Sequence, residues 1–197
     1  FITTIFSCNM DVKEVGDHEC IQCGECIDVC KPNAISWKLI KDKVPDAEFF
    51  IFSDDITKPL DLEARFGKGR RIEIDIGCGM GRFILARAAA HPEVQFIGIE
   101  RLKPRVEKIA RKAWRMGLTN IFIIRLEATY VLRYLIPCHS VSRCYLFFPD
   151  PWPKRRHAGH RVFNAEFRSL VWSRLIANGD LQVATDSEDY FSDMEGQ

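Results

Sequence analysis

Residues 72–91 restrict the fold of this chain more than any other stretch. Ile72-Glu-Ile-Asp-Ile76 alternates with the two-residue period of a strand. Gly77-Cys78-Gly79-Met80-Gly81 follows, and residues 82–91 then have the Ala-rich composition of a helix. A strand that enters a helix through a glycine loop suits a parallel sheet, because a parallel neighbour is reached only by a crossover. The alternation continues downstream. Residues 94–100, 121–126 and 181–185 read as strands, residues 145–148 as the end of another, and residues 164–175 as a helix. Pro104 stands where a helix start tolerates it. The predicted class is α/β, a parallel sheet covered on both faces.

In such sheets ligands sit at the carboxyl ends of the strands, near the switch in strand order. Gly77, Gly79 and Gly81 let the backbone approach a ligand closely. A dinucleotide fingerprint needs another glycine where this chain has Arg82. Glu100 ends the next strand, where a carboxylate can accept both hydroxyls of a ribose. The pattern favours S-adenosylmethionine over a nicotinamide cofactor; a solvated strand-end charge is the plainer alternative for Glu100.

The stretch Phe147-Phe-Pro-Asp-Pro-Trp-Pro-Lys-Arg-Arg-His157 begins where the fourth strand ends. Alternating prolines stiffen a loop that displays Asp150, then an aromatic, then a basic run. A turn whose Trp152 packs on the core is the plainer alternative. Lys154, Arg155, Arg156, His157 and Arg161 form a basic cluster suited to phosphates. Seven basic residues also lie between Arg101 and Arg115. Arg105, Lys108, Lys112 and Arg115 share one helical face there, with Val106, Ile109, Ala113 and Met116 facing away. Such faces are commonly just solvated.

Composition divides the chain. The net charge is +1, but residues 1–45 hold five Lys, no Arg and seven Asp or Glu, a balance of −2, so the remainder is +3. Five of the eight Cys fall in the first 30 residues. Cys20-Ile-Gln-Cys23-Gly-Glu-Cys26-Ile-Asp-Val-Cys30 reads C-x2-C-x2-C-x3-C, the run of bacterial ferredoxins. That spacing wraps thiolates around an iron–sulfur cube, whereas zinc more often takes two separated C-x2-C knuckles. Residues 20–35 therefore resemble a [4Fe–4S] ferredoxin-type segment, although Lys31 separates the fourth Cys from Pro32. Two ligand sets fit: Cys8, Cys20, Cys23 and Cys26, with Cys30 serving a second cluster, or Cys20, Cys23, Cys26 and Cys30. The expected partner of this segment is a redox protein. Cys78, Cys138 and Cys144 are expected as buried, reduced thiols of a cytoplasmic protein. No apolar run approaches a membrane span. The chain starts at Phe1 without a signal pattern, as expected for a piece of something longer.

IEIDIGCGMGRF, FIGIE, FFPDPWPKRRH and ATDSEDY in this order resemble the bacterial tRNA (guanine-N7)-methyltransferase family. The resemblance covers roughly residues 58–197 and implies a Rossmann-like class I S-adenosylmethionine-dependent fold, preceded by the small ferredoxin-like fragment. It implies domains at residues 1–40 and 61–197 joined by a linker at 41–60. The cofactor would meet Asp75, the glycine loop, Glu100 at the ribose and Glu127 near the adenine. Asp150 matches the catalytic position; Lys154 and Asp186 match substrate contacts. The substrate would be a tRNA guanine, by family at position 46 of the variable loop. Two departures stand out. His157-Ala-Gly-His-Arg161 interrupts the basic loop, and the chain ends before a C-terminal T-x-F-E motif, so the sheet is expected to lack its last two strands. An electron-transfer protein with a degenerate methyltransferase domain is the alternative. A radical enzyme would need C-x3-C-x2-C, which is absent.

Overall fold

The computed structural model describes residues 2–3, 38–39, 50–51, 56–153 and 155–195. The chain divides into two compact units, Phe1–Lys43 and Val44–Gln197. In the first, β1 (Ile2–Thr3) pairs antiparallel with β2 (Lys38–Leu39). Cys8, Cys20, Cys23, Cys26 and Cys30 lie outside the described residues. Among the described residues no cluster of three His, Cys, Asp or Glu is placed to hold a metal, and no helix is long and apolar enough to cross a membrane.

The second unit is built on six parallel strands in the order β3-β6-β5-β4-β7-β8. These are β3 (Phe50–Ile51), β4 (Ile72–Ile76), β5 (Gln95–Ile99), β6 (Ile121–Ile124), β7 (Val141–Phe147) and β8 (Leu175–Ala184). The chain winds outward from β4 through β5 to β6, then returns to the other side of β4 for β7 and β8. The order therefore switches at β4, where a parallel sheet opens a crevice for ligands. Part of the expected linker is thus sheet, since Phe50–Ile51 pairs with β6. β8 starts earlier than its apolar pattern suggested, with an irregularity opposite Val141–Arg143. Among the described residues it pairs with β7 alone.

The helices are α1 (Leu62–Phe66), α2 (Arg82–Ala90), α3 (Lys103–Arg115), α4 (Ala128–Tyr130), α5 (Ala165–Arg174) and α6 (Glu188–Glu195). A wider, π-type turn, Val131–Leu135, continues α4. Both faces of β4 are buried, as a parallel sheet requires. On one face Phe96, Ile121 and Ile123 meet Ile84, Leu85 and Ala88 of α2 and Val106, Ile109 and Ala113 of α3. On the other Ile74, Ile97 and Ile124 meet Leu132, Phe167, Val171 and Tyr190. Each fully buried side chain of this size contributes about 1.5–3 kcal/mol, enough to fix the sheet that carries the loops. Pro104 lies in the first turn of α3, and Asn164 caps α5 by accepting from the Phe167 N–H at 2.9 Å.

Two expectations are corrected. Met116 is exposed, because α3 ends before it and Gly117 turns the chain at φ 66°. Cys138 is exposed too, 2.7 Å from Arg174 Nη1, while Cys144 is buried.

Candidate active site

All strands of the main sheet point the same way, so their carboxyl ends share one rim. Asp75 stands near the end of β4, Glu100 follows β5, Glu127 lies beyond β6, Asp150 follows β7 and Asp186 follows β8. The glycine loop is bent by left-handed backbone at Gly77, Gly79 and Gly81, with φ of 75°, 56° and 73°, which only glycine adopts without strain. Gly77 and Cys78 N–H donate to the Ile99 carbonyl at 2.9 and 3.0 Å, tying the loop to the end of β5.

The three glycines serve different purposes. A Cβ on Gly81 would lie 2.6 Å from Ile109 Cγ1, so this glycine lets α2 pack on α3. A Cβ on Gly77 would meet nothing within 4 Å, and one on Gly79 only the Gly77 carbonyl at 3.8 Å. The space beside these two is open to a ligand.

Asp75 is 5% exposed and has no hydrogen-bond or ion-pair partner among the described residues. Burial pushes its carboxyl up to about 7. Burial also raises the Cys78 thiol well above its usual range, helped by the nearby carboxylates of Asp75 and Glu100. The structure thus brings Asp75, Cys78 and Glu100 together. Glu100 is oriented by the Leu102 N–H at 2.8 Å and faces Arg105 at 3.5 Å. Glu127 caps α4, accepting from Thr129 and Tyr130 N–H at 2.9 and 2.8 Å.

The loop after β7 is set by two unusual residues. Phe148 (φ 50°) donates its N–H to the Ala184 carbonyl at 2.7 Å, and Trp152 (φ 44°) lies 5.1 Å from the His160 ring. Non-glycine residues in this region are uncommon and concentrate at functional sites. Asp150 and Asp186 are exposed. Lys154 lies outside the described residues; the backbone of Arg155 and His157 forms a 3-10 turn, Arg155–His160, in which Arg156 is exposed.

Arg161 departs from the expected phosphate-facing cluster. It is 7% exposed, its Nε donates to the Pro151 carbonyl at 2.8 Å, and its other nitrogens pair with Asp189 and Asp193 of α6. Its guanidinium also lies 4.8 Å from the Tyr190 ring. Two largely exposed carboxylates compensate its buried charge, so this arginine braces the loop from inside. Sequence reasoning also missed Glu73. It is fully buried and accepts from Tyr145 Oη at 2.6 Å and Arg87 at 3.0 Å, with Arg71 at 2.9 Å. Burial raises its carboxyl, but these donors hold it below the usual range. The only signal was that a parallel sheet buries both faces, which forces a strand Glu to find partners.

Residues 69–196 match the family described as "Putative methyltransferase". The chain belongs to this methyltransferase family. Its relatives include the tRNA (guanine-N(7)-)-methyltransferase of Chromohalobacter salexigens, 43% identical over 68% of this chain and 54% of that protein. The tRNA (guanine-N(7)-)-methyltransferase of Geobacter metallireducens is 35% identical over 74% of this chain and 69% of that protein. The first of these relatives is thus spanned over little more than half its length. Among solved structures, the precorrin-6y C5,15-methyltransferase of Geobacter metallireducens aligns with a TM-score of 0.51 at 17% identity, covering 64% of this chain and 60% of that one. That likeness shows the fold. The methyltransferase fold and the open space beside Gly77 and Gly79 suit an S-adenosylmethionine site at the β4 rim.

Proposed function

We propose that this methyltransferase transfers a methyl group from S-adenosylmethionine to N7 of a guanine in tRNA, at position 46 of the variable loop. The observation that carries the reading is the shared rim: a buried carboxylate unpaired among the described residues and an open glycine loop on one side of the switch point, and a stiff loop displaying Asp150 on the other. The activity of the tRNA (guanine-N(7)-)-methyltransferase relatives supports the choice of substrate.

S-adenosylmethionine supplies a methyl group already activated on a sulfonium. The N7–CH3 bond forms as the S–CH3 bond breaks, and the sulfur keeps the electron pair. Guanine N7 carries a free lone pair, so no base is needed and alignment supplies most of the acceleration. Asp75, when ionised, offers a desolvated negative charge to a cation. Glu100 accepts from ribose hydroxyls through the oxygens that the Leu102 N–H orients. Glu127 stands beside the adenine, with lone pairs beyond those that cap α4. Asp150 accepts from the N1–H and N2–H2 edge of guanine and stabilises the positive charge that develops on the ring. Asp186 and the run from Lys154 through Arg155, Arg156 and His157 hold the surrounding RNA. A guanine inside folded tRNA must be exposed to reach this rim.

The deciding experiment is methyl transfer from labelled S-adenosylmethionine to unmodified tRNA, with Asp150→Ala alongside. Product mapped to N7 of one guanine, lost in the variant, supports the reading. Wild-type turnover by Asp150→Asn at saturating tRNA would refute the role of Asp150.

The N-terminal spacing favours a second element. Cys20, Cys23 and Cys26, completed by Cys8 or Cys30, hold a [4Fe–4S] cluster that exchanges electrons with a redox partner in the cytoplasm. Four iron atoms per chain, retained in Cys8→Ser and lost in Cys30→Ser, would select the compact ligand set. Zinc in place of iron would refute the cluster. An electron-transfer protein with a degenerate methyltransferase domain would show the iron but little affinity for S-adenosylmethionine.

A further inference from the structure

The α2–α3 face carries charge that the chemistry above leaves unused. Gly81 packs against Ile109 of α3 so closely that only a hydrogen fits between them. That contact sets the next residue, Arg82, beside α3. Lys108 and Lys112 stand one turn apart on the same helix. Arg82 and Lys108 are exposed and Lys112 is half-buried. Val106, Ile109, Ala110 and Ala113 bury the inner face of α3, so Lys108 and Lys112 lie on its outer side.

Other cations of α3 are neutralised in place. Arg105 faces Glu100 at 3.5 Å and Lys103 faces Glu107 at 3.7 Å. Among the described residues Arg82, Lys108 and Lys112 have no carboxylate partner. Burial, with the charges of Lys108 and Arg82 beside it, holds the Lys112 ammonium below its usual range. Lys108 and Arg82 both repel the Lys112 ammonium, and a bound anion would relieve that repulsion.

We propose that Arg82, Lys108 and Lys112 form a docking surface for the sugar–phosphate backbone of tRNA, separate from the loop that handles the target guanine. The proposal rests on the tRNA reading above and adds the surface that holds the RNA's body. Charge complementarity selects the occupant. Three neighbouring cations without a carboxylate partner among the described residues match a chain of phosphates, and such contacts position RNA without reading its sequence. The surface starts one residue after the glycine loop, so RNA lying on it passes the cofactor rim.

The test is tRNA binding by the full chain across a salt series. Lys108→Gln/Lys112→Gln is compared with Lys68→Gln/Arg70→Gln, which removes the same charge from the turn before β4, at the opposite end of that strand. The patch variant is expected to bind tRNA about tenfold more weakly and to lower the salt slope by about 2, roughly one per phosphate contact. The KM for tRNA rises, kcat at saturation stays, and S-adenosylmethionine affinity is unchanged. Lys108→Arg/Lys112→Arg restores binding. Wild-type affinity and slope in the glutamine variant, or a loss no larger than in the comparison pair, overturns the surface. So does a loss that the arginine pair fails to restore. A wild-type chain that binds tRNA through this surface but transfers no methyl to it would strike the enzymatic reading alone.

Discussion

Arg161 Nε donates to the Pro151 carbonyl at 2.8 Å, one residue beyond Asp150. The same guanidinium pairs with Asp189 and Asp193, so the loop after β7 is joined to α6 through one side chain. Phe163 N–H donates to Tyr190 Oη at 3.0 Å and closes the joint from the far side of the loop. Both carboxylates are substantially exposed, and exposed pairs contribute little stability. The value of the joint is geometric: it fixes where Asp150 is displayed.

Arg161→Lys should therefore separate positioning from folding. A lysine keeps the charge but lacks the planar fork that reaches a carbonyl and two carboxylates together. The expected result is a kcat lower by about tenfold to hundredfold, as small displacements of an aligning group produce. S-adenosylmethionine affinity should stay, because Asp75 and Glu100 belong to other strands. Steady-state kinetics with cofactor titrations make the comparison; a parallel loss of cofactor binding would mean general damage.

Glu73 gives a stability prediction. Its carboxylate compensates Arg87 and accepts from Tyr145 beneath α2. Glu73→Ala leaves a partly buried cation and a hydroxyl without their acceptor. Breaking such a buried pair costs about 3–5 kcal/mol. Denaturant melts should show this loss, and Glu73→Gln, which keeps an acceptor oxygen, should lose less.

Asp75 makes stability depend on pH. Its carboxyl is raised from 3.8 to about 7 by burial. A raised group favours the folded state fully below its unfolded value, and that advantage is lost as pH rises through the folded value. Stability from this group thus falls between about pH 4 and pH 7. Asp75→Asn removes the burden of a buried charge, so it should raise the melting temperature of the ligand-free chain at pH 8, with a smaller gain at pH 5. Thermal melts at both values check the sign. The same variant should bind S-adenosylmethionine more weakly at pH 8.

The strands were legible because their apolar residues keep the period of a doubly covered sheet: Ile72–Ile76 is β4 to the residue. The glycine loop was legible because positive φ selects glycine locally. Contacts between distant residues were not. Arg161 follows His157-Ala-Gly-His and reads as the end of a basic loop, yet its carboxylate partners come 28 and 32 residues later. Glu73 alternates like a solvent-facing residue, and its partners Arg87 and Tyr145 belong to α2 and β7. Phe50–Ile51 sits among charges and prolines that read as a linker; its pairing with β6 supplies what the local sequence lacks.

Gly77 and Gly81 look equivalent in sequence and should fail differently. Both have positive φ, so alanine at either is strained by about 1–2 kcal/mol. At Gly81 the new methyl also meets Ile109 at 2.6 Å, and overpacking adds about 1–3 kcal/mol. At Gly77 it enters open space, where it would block a ligand instead. Gly81→Ala should therefore lower the melting temperature more than Gly77→Ala, with Ile109→Val recovering part of the loss. Gly77→Ala should lose only the stability that its backbone strain costs, and lose S-adenosylmethionine affinity by more than that loss explains. Melts and cofactor titrations on the same samples distinguish the two. Equal melting temperatures with equal affinities would place the ligand away from this loop.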